Sequence, residues 1–153
     1  MQKPFPGKDV ALQKMQRYCA FQERCHSEVR QKLLEISVYG DTLEEIIAEL
    51  IADNYLNEER FARSYARGKF RTKSWGRNRI KQELQMRRVS DYCIRKGLEE
   101  IEEEDYLATL EKVITKKLEE LRGEDHFTAQ QKTAQYAMRK GYESELIWRI
   151  IKA

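Results

Sequence analysis

The stretch Ile80-Lys81-Gln82-Glu83-Leu84 decides the fold, because it repeats an earlier part of the chain. Val29-Arg30-Gln31-Lys32-Leu33 stands 51 residues before it and has apolar side chains at the same first and fifth positions. A second offset of 53 residues separates Ile94 from Ile147. A period near 50 residues predicts tandem units that bury their apolar faces by stacking on their neighbours.

Helical spacing of apolar residues extends outward from this stretch over nearly the whole chain. It predicts nine helices, with Ser27, Asn57 and Ser90 as N-caps, Thr128 with Gln131 as a capping box, and a break at 74–76. The 153 residues include only 7 glycines and 2 prolines, which argues against a turn-rich β-fold. We therefore expect an all-α protein of three tandem three-helix repeats that form an elongated, curved array. The expected boundaries are a flexible arm at 1–8 and repeats at 9–55, 56–102 and 103–153.

The charges are segregated along the chain, although the net charge is only +3. Segment 60–96 carries 13 basic and 2 acidic residues, whereas 40–59 and 97–125 each have a net charge of −7. A basic run of this size is typical of a face that binds a polyanionic or acidic partner. The alternative is a solvated helix face that pairs with the acidic segments beside it. We favour the binding face.

The predicted contact residues lie in the middle of this basic segment, and most are arginines, whose planar fork suits carboxylate or phosphate groups. They are Arg67, Lys69, Arg71, Lys73, Arg77, Arg79, Lys81, Arg87 and Arg88. Trp75 lies among them and is predicted either to contact the partner, by anchoring or by stacking on a base, or to pack where two repeats meet. Phe61, Tyr65, Ile80 and Leu84 are assigned to the core.

Other kinds of site find little support in the sequence. Cys19, Cys25 and Cys93 form no CxxC motif, so we expect free thiols and no metal. The sequence has no glycine-rich phosphate loop, GxSxG or HExxH motif, so we expect neither an enzyme nor a cofactor. The acidic residues within 99–105 are interpreted as a helix start. With no apolar run of about 20 residues and no signal-peptide pattern, the expected location is the cytoplasm.

Four stretches resemble the RecX regulatory proteins of bacteria. They are 27–33, Leu56-Asn57-Glu58-Glu59-Arg60-Phe61-Ala62, 75–84 (which begins Trp75-Gly76-Arg77) and Arg139-Lys140-Gly141-Tyr142. The likeness extends from about residue 12 to 151, and the two middle stretches are the most specific. Two positions depart from the family pattern. Arg88 stands where the second repeat often has a glycine turn, and Ala137 stands where the third often has leucine.

The resemblance implies a non-enzymatic, all-helical regulator built from three three-helix units. Proteins of this family bind the RecA recombinase, mostly as its filament on DNA, and restrain strand exchange and ATP hydrolysis in DNA repair, recombination and the SOS response. They are thought to lie along the groove of the filament. We therefore expect a monomer that binds the RecA filament and, as a further partner, single- or double-stranded DNA. Reversing Arg77 and Arg79 to Glu is expected to weaken that binding without unfolding the helices.

Two other functions fit the sequence. One is a helical DNA- or RNA-binding protein that acts independently of RecA. The other is an adaptor whose acidic segments hold a basic partner. A comparison of bare DNA with RecA-coated DNA separates the first from the RecA regulator, and charge swaps over 102–105 test the second.

Overall fold

The computed structural model describes residues 4–153, and within that range the chain forms nine α-helices and no β-strand. The helices are α1 (Lys8–Phe21), α2 (His26–Glu35), α3 (Gly40–Ala52), α4 (Glu58–Lys73), α5 (Arg77–Met86), α6 (Asp91–Leu98), α7 (Glu103–Glu120), α8 (His126–Arg139) and α9 (Ser144–Ile151). This confirms the predicted all-α fold and the number of helices. Residues 1–3 of the predicted arm lie outside the described residues, and Lys8 begins α1.

The helices pack chiefly in three consecutive triplets, α1–α3, α4–α6 and α7–α9. The two apolar positions of the repeated stretch are completely buried in every triplet. The first position is Val29, Ile80 and Thr133, and the second is Leu33, Leu84 and Ala137. The third triplet therefore keeps the positions of the repeat and changes only the size and polarity of the side chains.

The turn after the middle helix of each triplet also repeats. Its central residue has a positive φ in all three cases: 66° at Ser37, 60° at Arg88 and 104° at Gly141. In each turn the next N–H donates to the carbonyl five residues back, over 3.0 Å to Leu33, 3.1 Å to Leu84 and 3.1 Å to Ala137. The offsets of 51 and 53 residues therefore hold for the backbone as well as for the side chains.

The described residues form two hydrophobic cores rather than three. The first triplet has its own core, which contains Met15, Leu33 and Leu50. The second and third triplets share one core, and the first triplet contributes only Cys25 to it. The second and third triplets are thus fused through apolar packing, while the first is attached mainly through polar contacts.

The accessible surface area supports an elongated shape. It is 9726 Å², whereas a compact monomer of this mass exposes about 8100 Å². Stacking the triplets in a row produces this kind of excess. Within residues 4–153, no helix combines the length and the apolar character needed to cross a membrane.

Candidate partner-binding surface

The second and third triplets meet at a tight backbone contact. The Gly76 N–H donates to the Lys140 carbonyl at 2.7 Å, and the Asn78 N–H donates to the Gly141 carbonyl at 2.9 Å. A Cβ atom added at Gly76 would overlap the backbone of Gly141. Two of the stretches that resemble the RecX family, at 75–84 and 139–142, therefore touch each other and form this junction.

Arg77, one of the predicted contact residues, is built into the same junction. Its guanidinium pairs with Glu143 at 2.9 Å and with Glu103, and it lies 3.8 Å from the centre of the Tyr106 ring. Its backbone N–H donates to the Tyr106 hydroxyl at 3.0 Å. Reversing Arg77 to Glu would place a carboxylate against two others. The effect of an Arg77 variant on binding would then be mixed with damage to the junction.

The junction between the first and second triplets follows the same plan with polar side chains. The His26 N–H donates to a Glu58 carboxylate oxygen at 3.0 Å, and the Ser27 hydroxyl donates to the Arg87 carbonyl at 2.8 Å. The predicted cap at Ser27 is wrong, since α2 begins at His26 with Cys25 as its N-cap residue. Ser27 instead joins two triplets.

Two further predicted contact residues are paired with carboxylates inside the chain. Arg67 lies 2.6 Å from Glu100, and Arg87 lies 3.1 Å from Glu83. Arg67 and Arg77 follow the alternative in which the basic segment pairs with an adjacent acidic segment, because Glu100 and Glu103 lie within 97–125, whereas the Glu83 partner of Arg87 belongs to the basic segment itself. An ion pair already made within the chain reduces what the arginine gains from an external partner.

The remaining basic residues of the predicted set have no carboxylate within 4.0 Å among residues 4–153. We call them the unpaired set: Lys69, Arg71, Lys73, Arg79, Lys81 and Arg88. They carry six positive charges that no acidic side chain in the described chain neutralises at short range. These residues can pair with an external anion without first breaking an internal ion pair.

Trp75 holds two members of the unpaired set in place. The Arg79 guanidinium lies 4.2 Å and the Lys69 Nζ 5.2 Å from the centre of the indole ring. The centre of the indole ring lies 6.5 Å from the centre of the Tyr65 ring, and the Arg87 guanidinium lies 4.9 Å from that Tyr65 ring. Burial raises the pKa of the Tyr65 hydroxyl. Cation–aromatic contacts of this kind fix flexible basic side chains. Trp75 is half-buried and packs against the core shared by the second and third triplets, which agrees with the predicted packing where two repeats meet. Its contact with a partner stays a prediction.

Sequence reasoning missed a group of lysines in the third triplet. Lys112, Lys116 and Lys117 of α7 line one cavity with Lys140, which follows α8. They escaped notice because segment 97–125 is acidic as a whole. The signal was the four-residue spacing between Lys112 and Lys116, which places them on one helix face.

The cysteines are free thiols, as expected. Burial raises the pKa of the Cys19 thiol to about 11, so it stays protonated and packs as a small apolar side chain. In the described part of the chain, no group of three or more His, Cys, Asp or Glu residues is arranged to hold a metal ion.

Comparison with known proteins gives matches to the RecX family. Residues 57–98 match the model for the second three-helix domain of RecX, and 103–151 match that for the third. Regulatory protein RecX of Streptococcus uberis is 28% identical over 142 residues, which are 92% of this chain and 52% of that protein. Regulatory protein RecX of Clostridium perfringens strain 13 is 30% identical over 131 residues, which are 84% of this chain and 61% of that protein.

The fold agrees with a solved structure. The crystal structure of RecX from Lactobacillus salivarius superposes with a TM-score of 0.87 at 23% identity, over 95% of this chain and 94% of that one. At this identity the likeness shows the fold alone. The chain spans about half the length of the first two curated relatives it matches. The two domain models together cover more than half of the present sequence.

Proposed function

Since the chain belongs to the RecX family of regulatory proteins, we propose that it binds the RecA recombinase on DNA and inhibits its recombinase and ATPase activity. The observation that carries the proposal is the unpaired set, six basic side chains with no carboxylate partner among residues 4–153, of which Lys69 and Arg79 lie on Trp75. The protein acts as a monomeric, non-enzymatic regulator in the cytoplasm and serves DNA repair.

Both the charge and the shape of the protein favour binding to a RecA filament on DNA. A recombinase filament on DNA presents a long groove that carries protein and phosphate charge, and a row of stacked triplets can follow such a groove over many contacts. Complementary charge speeds the encounter and fixes the orientation of the two partners. The unpaired set supplies that charge without a competing internal salt bridge.

The residues we assign to the contact are therefore fewer than the sequence predicted. The unpaired set and Trp75 form the contact itself. Three other arginines support it through internal ion pairs. Arg67 pairs with Glu100, Arg77 pairs with Glu103 and Glu143, and Arg87 pairs with Glu83. These three hold the helices and the junction beneath the contact in position.

A double charge reversal, Lys69→Glu with Arg79→Glu, tests this assignment, because both side chains lie on Trp75 and neither has a carboxylate within 4.0 Å in the described part of the chain. We expect binding to RecA-coated single-stranded DNA to weaken by about tenfold or more, since interface charges then repel the filament. The matched control, Lys14→Glu with Arg17→Glu, also reverses one lysine and one arginine, at exposed positions of α1.

Circular dichroism and the thermal midpoint establish that both variants are folded. The assignment fails if a folded Lys69/Arg79 variant binds the coated DNA as tightly as the wild type. It also fails if the control loses as much affinity as the test variant.

The second candidate function is DNA binding independent of RecA, which the unpaired set also favours because free cations bind phosphates. A gel-shift titration of bare and RecA-coated DNA of the same sequence separates the two functions. Clearly tighter binding to the coated DNA supports the RecA proposal. Equal affinity for the two substrates favours the alternative.

A further inference from the structure

A cavity of about 340 Å³ lies where α7 and α8 meet the C-terminal end of α4. Its lining is rich in ammonium and hydroxyl groups and contains one carboxylate and one aliphatic side chain. The lining residues are Ser74, Thr109, Lys112, Val113, Lys116, Lys117, Glu120, Tyr136 and Lys140. We call this cavity the lysine pocket.

The charges in the lysine pocket are not balanced. Glu120 is the one acidic residue in the lining, and its carboxylate lies 3.5 Å from the Lys117 Nζ. Within residues 4–153, neither Lys112 nor Lys116 has a carboxylate within 4.0 Å. Within the lining, four ammonium groups therefore share one carboxylate, and an anion in the cavity would relieve their mutual repulsion. Glu111 and Glu119 line the neighbouring surface with Lys112 and Lys116 but do not line this cavity.

The Tyr136 ring brings two of these ammonium groups to the same place. The Lys117 Nζ lies 4.7 Å and the Lys140 Nζ 5.7 Å from the centre of the ring. The Lys140 Nζ also donates to the Lys73 carbonyl at 3.1 Å. These contacts hold the long side chains of α7 and of the turn after α8 at the cavity before any ligand arrives.

The same contacts join the lysine pocket to the unpaired set. Lys140 reaches the end of α4 at Lys73, and the adjacent Gly141 contacts the backbone segment that carries Arg79. Positive charge thus continues across the junction from the second triplet to the third. A ligand with regularly spaced negative charges, rather than a single small anion, fits such a track.

We infer that the lysine pocket binds phosphate groups of a nucleic-acid strand. Its cationic side chains are all lysines, which bind phosphates as compact point charges. The hydroxyls of Ser74, Thr109 and Tyr136 add donors for phosphate oxygens. This site needs no recombinase, so it stands apart from the function proposed above.

The test is the binding of a 30-nucleotide fluorescent oligothymidylate to the full chain, measured over a range of salt concentrations without RecA. The variant is Lys112→Ala with Lys116→Ala, since both residues are exposed on α7 and alanine preserves a helix. Losing two phosphate contacts should weaken binding roughly 25-fold at 0.1 M salt. The slope of the logarithm of the binding constant against the logarithm of the salt concentration should become less steep by about 1.4. The control, Lys14→Ala with Arg17→Ala, removes the same charge from exposed positions of helix α1.

Three outcomes decide the inference. A large loss in the pocket variant with little change in the control supports it. Equal effects in the two variants, or none in either, overturn it, because binding would then follow net charge or other sites. If the pocket variant binds the bare oligonucleotide normally and loses affinity only for RecA-coated DNA, the ligand of the pocket is an acidic protein surface and the nucleic-acid assignment is wrong. If the wild type does not prefer RecA-coated DNA to bare DNA, the proposed function is wrong, but the inference about the lysine pocket still stands.

Discussion

At the scale of single residues, the left-handed turn after each middle helix shows how the repeat tolerates different side chains. Gly141 occupies this conformation at no steric cost, whereas Arg88 holds it at φ 60° with a full side chain. A non-glycine residue in this region costs roughly 1–2 kcal/mol. The second triplet therefore keeps an arginine at a position where the backbone favours glycine.

Replacing Arg88 by Gly should stabilise the fold. We expect a gain of about 1 kcal/mol, because part of the relieved strain is offset by the greater freedom of glycine in the unfolded chain. For a chain of this size that corresponds to a rise in Tm of roughly 2–4 °C, measured by thermal denaturation. A lower Tm would show that the Arg88 side chain makes a stabilising contact that outweighs the strain.

Two of the three single caps named from the sequence, Asn57 and Ser90, were predicted correctly, whereas Ser27 was not. Asn57 accepts the Arg60 N–H at 2.9 Å and Ser90 accepts the Cys93 N–H at 3.2 Å, which confirms both. The capping box at Thr128 is wrong, because Asp125 caps α8 by accepting the Thr128 N–H at 2.8 Å. Thr128 and Asp125 both fit the capping pattern, and local sequence does not say which one the tertiary fold selects.

At the scale of helices, Gly97 and Gly68 have opposite roles in the second triplet. Gly97 of α6 faces α4, and a Cβ atom added there would lie 2.6 Å from the Ala62 carbonyl oxygen. Gly68 lies within α4, and a Cβ atom added there would meet nothing within 4 Å. Gly97 thus allows α4 and α6 to approach closely, while Gly68 only reduces the helix propensity of α4.

The two glycine-to-alanine variants should therefore shift stability in opposite directions. We expect Gly97→Ala to lower the free energy of unfolding by about 2 kcal/mol, since α4 and α6 must separate to admit the methyl group. Gly68→Ala should raise it by up to about 1 kcal/mol. Urea denaturation measures both, and destabilisation by Gly68→Ala or tolerance of Gly97→Ala would contradict this description of the helix contact.

The helices could be predicted because their apolar spacing is a local property of the sequence, and the repeat offsets indicated how they group into triplets. The ion-pair partners of individual charged residues could not be predicted. Arg67 meets Glu100, 33 residues away, and Arg77 meets Glu143, 66 residues away. Such pairs depend on how the triplets stack, so the sequence could identify the basic segment but could not separate its paired residues from its unpaired ones.

At the scale of the whole molecule, the two cores divide the array into a fused pair of triplets and an attached first triplet. The unpaired set and the lysine pocket both lie on the fused pair, whose junction is fixed by backbone hydrogen bonds at Gly76 and Asn78. Because the two triplets are fixed to each other, the spacing of these positive charges stays constant, which favours a partner with regularly spaced negative charges. The curvature of the row stays a prediction, which small-angle scattering can measure.

The measurement that tests the central claim most directly is RecA-dependent ATP hydrolysis on single-stranded DNA, titrated with this protein. We predict that the wild type lowers the steady-state rate and that the Lys69→Glu/Arg79→Glu variant needs about ten times more protein for the same effect. The matched Lys14→Glu/Arg17→Glu variant should inhibit as the wild type does. A rate that stays constant at every excess of folded wild-type protein would contradict the claim that this chain restrains the recombinase.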